Sequence, residues 1–238
     1  MNATFFKKLL PRFITSKLSE LRNNYFDGFT IKSYSQEGED MILRRFFEFK
    51  KNGFYVDVGA HHPKRFSNTY FFYKKGWKGI NIDAMPGSMN AFEKVRPRDI
   101  NIEVPISSKK QKLKYYGFNE PALNGFSKEL SEQRNNSRGY DIIFTRDLQT
   151  QTLQNVLDTY LPKEQIIDFL SIDVEGLDFD VIKSVDLNKV RPRLILIEIL
   201  SSSYHELIND EITTHLISNN YSIFSKTINT VIFKSNSL

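Results

Sequence analysis

A run of strand-forming residues that ends at a glycine constrains the fold of this chain more than any other segment. The run is Phe54 to Val58, and Gly59 follows it directly. A strand that is apolar on both faces is typical of a buried parallel sheet, and glycine permits the tight turn by which the chain leaves it. A second run, Gly79 to Ala84, carries Asp83 near its end, as the first carries Asp57. We expect both acids at the carboxyl edge of one sheet, where α/β folds bind ligands.

Strand and helix patterns alternate along most of the remaining chain. Strands are predicted at 100–106, 166–173 and 193–199, and helices at 35–50, 67–73, 88–95, 178–185 and 204–218. The later strands also end in acids, Asp173 and Glu198. Two short strands, 221–224 and 230–233, follow without a helix between them, which indicates an antiparallel strand at the edge. The expected fold is therefore α/β, with a mostly parallel sheet, an antiparallel edge strand and helices on both faces.

Composition limits the classes of partner. The chain of 238 residues is long enough for one α/β domain, and its 33 basic and 28 acidic residues give a net charge of +5. That charge suits anionic partners but is too sparse to indicate nucleic acid, so no nucleic-acid partner is expected. The absence of cysteine excludes disulfides, a thiolate nucleophile and cysteine-ligated zinc. It also suits a reducing cytoplasm, which is the expected location.

Two polar stretches stand apart from the strand and helix pattern. Residues 1–32 are predicted as a basic amphipathic segment ahead of a single domain at 33–238, because apolar pairs alternate with lysines and arginines. The segment has neither the apolar core of a secretory signal nor the length of a membrane span. Two interpretations stay open: a helix packed on the domain or on a second copy in a homo-oligomer, and a peripheral helix on the anionic inner surface of a membrane. Residues 127–141 predict a flexible loop or lid.

The turn after Val58 limits the ligand. A dinucleotide-binding turn needs three glycines and a Walker loop ends in Gly-Lys-Ser/Thr, whereas Gly59 stands alone. A cofactor without phosphates, such as S-adenosylmethionine, needs backbone room beside its methionine moiety and an acid for its ribose hydroxyls. Gly59 and Asp83 could supply these. The alternative is a core strand with incidental acids, although an unpaired carboxylate is costly beside a buried strand.

Several short segments together resemble the FkbM family of S-adenosylmethionine-dependent methyltransferases. In order along residues 33–200 they are Ser35-Gln36-Glu37-Gly38-Glu39-Asp40, Tyr55-Val56-Asp57-Val58-Gly59-Ala60, Phe66-Ser67-Asn68-Thr69-Tyr70, Gly76-Trp77-Lys78-Gly79 and Asp173-Val174-Glu175-Gly176. The resemblance implies a Rossmann-like class I methyltransferase sheet. It also implies cofactor contacts from Asp57, Gly59 and Ala60, from Asn68 near the methionine end, and from Asp83 at the ribose. Many relatives have glycine in place of Pro63 and glutamate in place of Asp83.

The catalytic candidates follow from what methyl transfer to a hydroxyl requires. The displacement is in line, so positioning supplies much of the rate, and the hydroxyl must lose its proton as its oxygen attacks. Asp173 or Glu175 could take that proton, hold a divalent cation, or cap the following helix. His61 is an alternative base, because the pKa of histidine lies near neutrality. The identity of a metal, if one is used, is unknown from sequence.

Substrate contacts are assigned to two places. Gln36 and Glu39 begin the first predicted helix, and Glu120 and Asn124 follow the third predicted strand. The family resemblance implies that the acceptor is a hydroxyl on a glycan, a lipid-linked sugar or a small secondary metabolite.

Two competing functions remain. Asp173-Val174-Glu175 loosely resembles the metal-binding element of nucleotide-sugar glycosyltransferases, although the single-glycine turn weighs against any diphosphate. The net charge and the basic N-terminal segment also suit a non-catalytic module that binds an anionic surface.

Overall fold

The computed structural model describes residues 11–201 and 203–237, and the chain divides into two compact units. The first unit ends at Ser33, and its described residues hold one helix, α1 (Arg12–Tyr25), none of whose residues is buried. The first ten residues of the predicted basic segment lie outside the described residues. The second unit begins at Tyr34 and holds all the other helices and strands described below. Within the described ranges, no helix is long and apolar enough to cross a membrane.

The second unit is built on a seven-stranded sheet in the order β3-β2-β1-β6-β7-β9-β8. The strands of this sheet are β1 (Phe54–Val58), β2 (Lys78–Asp83), β3 (Ile100–Glu103), β6 (Phe169–Ile172), β7 (Leu194–Glu198), β8 (Tyr221–Lys226) and β9 (Thr230–Ser235). The first five run parallel, while β9 is antiparallel to both β7 and β8. The predicted fold class is confirmed, with one refinement: the antiparallel strand β9 lies one position in from the edge, and β8 is the edge strand.

Helices connect these strands and cover the sheet. They are α2 (Glu39–Phe46), α3 (Tyr70–Lys74), α4 (Met89–Val95), α5 (Lys128–Arg134), α6 (Leu153–Tyr160), α7 (Asp178–Lys183), α8 (Tyr204–Asn209) and α9 (Glu211–Ser218). Helix α2 is shorter than predicted because Gly38 stands before it with a left-handed φ of 88°. The single helix predicted at 204–218 is two helices, because Asp210 is extended (ψ 143°) and its carboxylate caps α9 at the amides of Ile212 and Thr213.

The prediction of a flexible loop at 127–141 is wrong over residues 128–134, and the alternative of a lid stays a prediction. Residues Lys128–Arg134 form α5, which begins where the Ser127 hydroxyl accepts a hydrogen bond from the Leu130 amide. Along the chain, the helix comes between β4 (Lys112–Phe118) and β5 (Ile142–Gln149). These two strands form a separate antiparallel pair. Sequence patterns missed this β4–α5–β5 insertion because α5 and β5 are largely exposed and β4 is buried only over residues 115–118. The segment therefore carries no sustained periodic apolar signal.

The core is divided by the sheet, so the central strands are buried on both faces. One face packs Val56, Ile82, Ile172 and Ile197 against α6, α7 and α9. On the other face, an aromatic cluster lies between the sheet and the helices α2 and α3. Its members are Tyr55, Phe72, Tyr73, Trp77 and Phe169. Both faces are covered, as the uninterrupted apolar pattern of β1 predicted.

A buried hydrogen-bond network holds β1 to the helices beside it. The Arg96 guanidinium, with no exposed side-chain surface, donates to Asp99 (2.9 Å), to the Tyr55 hydroxyl (2.9 Å) and to Thr69 Oγ1 (2.9 Å). Thr69 in turn donates to the Asp57 carboxylate (2.7 Å). Burial raises the pKa of Asp57, and the positive charge of Arg96 opposes that rise. The network thus pairs the acid of β1 with a buried cation.

Removing that cation should destabilise the fold strongly. We expect Arg96→Met to lower the free energy of unfolding by about 3–5 kcal/mol, because the buried carboxylate of Asp99 would lose the cation that it pairs with. Arg45→Met is the matched control, since Arg45 forms an exposed ion pair with Glu48 (2.7 Å) whose loss should cost less than about 1 kcal/mol. Urea unfolding of both variants measures the difference. Equal losses would show that the buried network contributes no special stability.

Candidate active site

The register of the sheet aligns three acids around one glycine. Val58 of β1 pairs with Ile82 of β2 and with Ile172 of β6, and Ile172 pairs with Ile197 of β7. The next residue of each strand therefore falls in one row at the carboxyl edge. Across the sheet, that edge row reads Asp83, Gly59, Asp173, Glu198.

Gly59 lets the neighbouring chains approach closely at the centre of the edge row. Its φ of +83° lies in the left-handed region, and a Cβ atom there would overlap the carbonyl oxygen of Asp173. Its amide donates to the Ile82 carbonyl (2.9 Å), so the chain crosses the end of β2 as it leaves the sheet. No other residue type satisfies both the φ and the contact.

A cavity that is open to solvent extends along the edge row. Its floor includes Gly59, Asp83, Asp173 and Glu198, and its walls include the loop that follows β3 and the segment that links β4 to α5. Several residues predicted from sequence meet here, namely Gln36, Gly59, His61, Asp83, Asn124, Asp173 and Glu175. The tertiary structure thus brings together predicted cofactor, substrate and catalytic residues from five separate segments of the chain.

Three predicted cofactor residues do not line this cavity in the described structure. Asp57 accepts the Thr69 hydrogen bond of the buried network, Ala60 is buried, and the Asn68 amide donates to Ser171 Oγ (3.1 Å). All three support the first turn from behind the cavity. Direct contact between these residues and a cofactor stays a prediction.

Two predicted substrate residues also have partners elsewhere. Glu39 is buried, and its carboxylate accepts from the Glu37 amide (2.9 Å) and from Thr230 Oγ1 (3.1 Å). Glu120 forms a bidentate pair with Arg65 (3.1 and 3.3 Å) beside the cavity. Glu39 therefore holds α2 to the sheet, while Glu120 holds the loop after β4 to the loop after β1.

The carboxylate of Asp83 organises the turn after β1. One oxygen accepts from the His61 amide (2.8 Å) and the other from the Met85 amide (2.8 Å). Burial raises the pKa of Asp83, and these hydrogen bonds oppose the rise. Each carboxylate oxygen keeps further acceptor capacity toward the cavity, so Asp83 can still accept hydrogen bonds from a ligand.

His61 presents a neutral ring to the cavity. Burial lowers its pKa below the ordinary value, and the nearby positive charge of Arg65 lowers it further. The Nε2 atom is buried and has no hydrogen-bond partner among the described residues. The ring lies nearly parallel to Phe66, with 6.3 Å between centroids. His61 can therefore offer one ring nitrogen to a polar group of a ligand.

The acids on the other side of Gly59 form a cluster with perturbed ionisation. Burial raises the pKa of Glu198 to about 7, and repulsion from Glu175 and Asp178 contributes to the rise. The pKa of Asp173 is also raised well above its ordinary value by the surrounding protein and by the charge of Glu198. Asp173 is exposed, so water moderates the effect of burial on its carboxylate. Repulsion from the carboxylates of Glu198, Asp178 and Glu175 also raises its pKa.

Glu175 and the turn around it are fixed by charged partners. The Glu175 carboxylate accepts from Arg134 of α5 (2.7 Å), so the insertion contacts the end of β6. Asp178 accepts from the amides of Val174 (3.1 Å) and Gly176 (3.2 Å) and so closes the turn before α7. Among the described residues, no side chain caps α7, so the alternative that Asp173 or Glu175 caps this helix is wrong.

Sequence analysis assigned no role to several residues of the cavity. The sequence could have indicated a role for Glu198 in the site, because Glu198 ends a buried strand as Asp83 does. No such indication exists for Arg134, Tyr115, Met85 or Phe126, because the insertion that contributes most of them matches no motif. Within the described ranges, no group of three or more His, Asp or Glu side chains is arranged to hold a metal ion.

Comparison with known proteins identifies the family. The methyltransferase FkbM domain matches residues 57–223, which is more than half of the chain. The chain therefore belongs to the FkbM family and is a methyltransferase, as its motifs indicated. The X-ray structure of YjhP from E. coli is similar over 91% of this chain and 71% of that chain, with 12% sequence identity and a TM-score of 0.33. No sequence among the curated proteins matches the chain.

The close approach at Gly59 can be tested against a glycine with the same φ. Gly139 has a φ of +81°, and a Cβ atom there would meet nothing within 4 Å in the described structure. Gly139→Ala should therefore show only the conformational cost of a left-handed alanine, about 1 kcal/mol. Gly59→Ala should cost about 1–3 kcal/mol more, because the Asp173 carbonyl must also move. Thermal unfolding compares the two variants, and equal losses would contradict the close approach.

Proposed function

We propose that this methyltransferase uses S-adenosylmethionine and transfers its methyl group to a hydroxyl acceptor on a glycan, a lipid-linked sugar or a small metabolite. The main support for this proposal is the arrangement of acids in the edge row. One acid, Asp83, lies on one side of Gly59, and two acids with raised pKa values, Asp173 and Glu198, lie on the other. The row thus separates a nucleoside-binding half of the cavity from an acid–base half.

The side chains of the nucleoside-binding half match the chemical groups of S-adenosylmethionine. Met85, Val104, Ile106 and Phe126 supply apolar surface for an adenine ring, and Asp83 can accept hydrogen bonds from the ribose hydroxyls. His61 Nε2 needs a polar partner that the described protein does not supply. When bound, S-adenosylmethionine supplies a methyl group on a positively charged sulfur, which keeps the bonding electrons as the methyl group leaves. Carboxylates near Gly59 favour such a cation.

The acid–base half suits a hydroxyl acceptor. An acceptor O–H must lose its proton as the oxygen attacks, and a base with a pKa near the working pH takes it most effectively. Glu198, whose pKa burial raises to about 7, meets this requirement. Asp173 beside it shares the proton, because two neighbouring carboxylates resist carrying charge together. Glu175 is less available as the base because Arg134 holds it, and neutral His61 is the second candidate.

Cofactor binding should depend on the acid of β2. We expect Asp83→Ala to weaken S-adenosylmethionine binding by about tenfold or more, because hydrogen bonds to a charged acceptor contribute about 1.5–3 kcal/mol. Glu103→Ala is the matched control, since Glu103 pairs with Asp83 in the register but lies on the exposed side strand β3. Isothermal titration calorimetry measures both affinities. Unchanged affinity in a folded Asp83→Ala variant would refute the ribose assignment.

Turnover should depend on Glu198 without any change in cofactor affinity. Glu198→Gln should slow methyl transfer by about 10²–10⁴-fold and remove the rise in rate as pH increases through about 7. The assay measures the S-adenosylhomocysteine that forms from S-adenosylmethionine when glycan or lipid-linked acceptors are supplied. Glu211→Gln, an exposed glutamate of α9, is the control. A normal pH profile in Glu198→Gln would exclude Glu198 as the base.

A second measurement on Glu198→Gln needs no acceptor. Because folding raises the pKa of Glu198 from 4.5 to about 7, the folded state binds more protons between these values. The unfolding free energy of the wild type should therefore fall as pH rises across that window. Urea unfolding should show a smaller fall in Glu198→Gln, whereas an unchanged slope would contradict the raised pKa.

A further inference from the structure

Helix α1 carries an apolar stripe that the described residues of its own unit leave uncovered. At 100° per residue, Ile14, Leu18, Leu21 and Tyr25 fall within a sector of about 60°. No residue of the helix is buried, and Leu18 and Leu21 are 53% and 49% exposed. Soluble proteins rarely expose a continuous apolar surface of this kind to water. Where they do, the surface usually binds a protein or a membrane.

The charges around the stripe indicate which partner. Lys17 and Arg22 border it on its two sides, and Arg12 adds a third cation, against one acid in the helix, Glu20. The long stems of lysine and arginine can cover apolar surface while their charged ends reach outward. A second copy of the helix would bring the same cations together along the seam, which is unfavourable. Anionic lipid headgroups complement them on both sides.

The apolar surface continues beyond the helix. Phe26 and Phe29 follow α1 and are 71% and 76% exposed. Aromatic rings of this kind insert readily at the boundary between headgroups and acyl chains. Fourteen residues of helix extend only about 21 Å, too short to span a bilayer, so the geometry suits a helix that lies in the plane of the surface.

We propose that α1 binds the surface of an anionic bilayer, with Ile14, Leu18, Leu21 and Tyr25 among the acyl chains and Lys17 and Arg22 at the headgroups. This inference is independent of the proposed function, because it uses none of the cavity residues. Its consequence is that the methyltransferase works beside a membrane.

Co-sedimentation of the full chain with vesicles tests the proposal. Vesicles of phosphatidylcholine with about one-third phosphatidylglycerol should bind the protein at least about tenfold more tightly than phosphatidylcholine alone. Raising the salt from about 0.1 M to about 0.5 M should reduce that preference, because salt screens surface charges.

Two double variants separate the apolar and the charged contributions. Leu18→Ser with Leu21→Ser, and Lys17→Glu with Arg22→Glu, should each weaken binding to the anionic vesicles by about tenfold or more. Neither pair alters a buried residue, and circular dichroism verifies that each variant folds.

Matched controls lie in the second unit. Ile143→Ser with Ile228→Ser removes two exposed apolar side chains, and Lys109→Glu with Lys110→Glu changes the net charge by the same amount as the α1 pair. Both controls should bind like the wild type, and weakening equal to that of the α1 variants would overturn the proposal. So would the absence of binding to any vesicle, or equal binding to neutral vesicles. The wild type could instead form a dimer and bind no vesicles. If Leu18→Ser with Leu21→Ser then abolished the dimer, the stripe would be assigned to a second copy of the chain.

Discussion

The contact between Gly59 and the Asp173 carbonyl is the constraint on which the site depends. It brings the end of β1 against the end of β6 closely enough to exclude a side chain at Gly59. The parallel register then places Asp83 on one side of that contact and Glu198 beyond the other. A side chain at position 59 would displace the β6 end and with it the acids whose spacing gives the cavity its two halves.

Collecting acids at one edge of a buried sheet is electrostatically costly, and the protein offsets the cost with two cations in different ways. Arg96 is entirely buried and satisfies Asp99 and, through Thr69, Asp57. Arg134 comes from the insertion and pairs with Glu175 at the edge of the cavity. Asp173 and Glu198 have no such pairing among the described side chains, so their pKa values rise. The protein thus pairs some acids with cations as structural anchors and leaves Asp173 and Glu198 with raised pKa values.

The parts of the fold that sequence analysis predicted well are those with strong periodic signals. β1 and β2 were predicted to within one residue, because buried parallel strands are apolar without interruption. The β4–α5–β5 insertion was not predicted, because its stability comes from pairing between strands distant in sequence and from contacts such as Arg134 to Glu175. The break at Asp210 was also missed, since the same residue that ends one helix caps the next.

The sequence by itself determined the class of fold, the family and seven of the residues that line the cavity, because strand-end acids and the Gly59 turn are local patterns. Only the tertiary structure decided which acids have perturbed ionisation and which serve as supports. Asp57, Asp83, Asp173 and Glu198 are alike as strand-end acids in sequence. Their pKa values depend on whether a cation, a backbone amide or another carboxylate lies nearest, and those neighbours come from segments that only folding brings together.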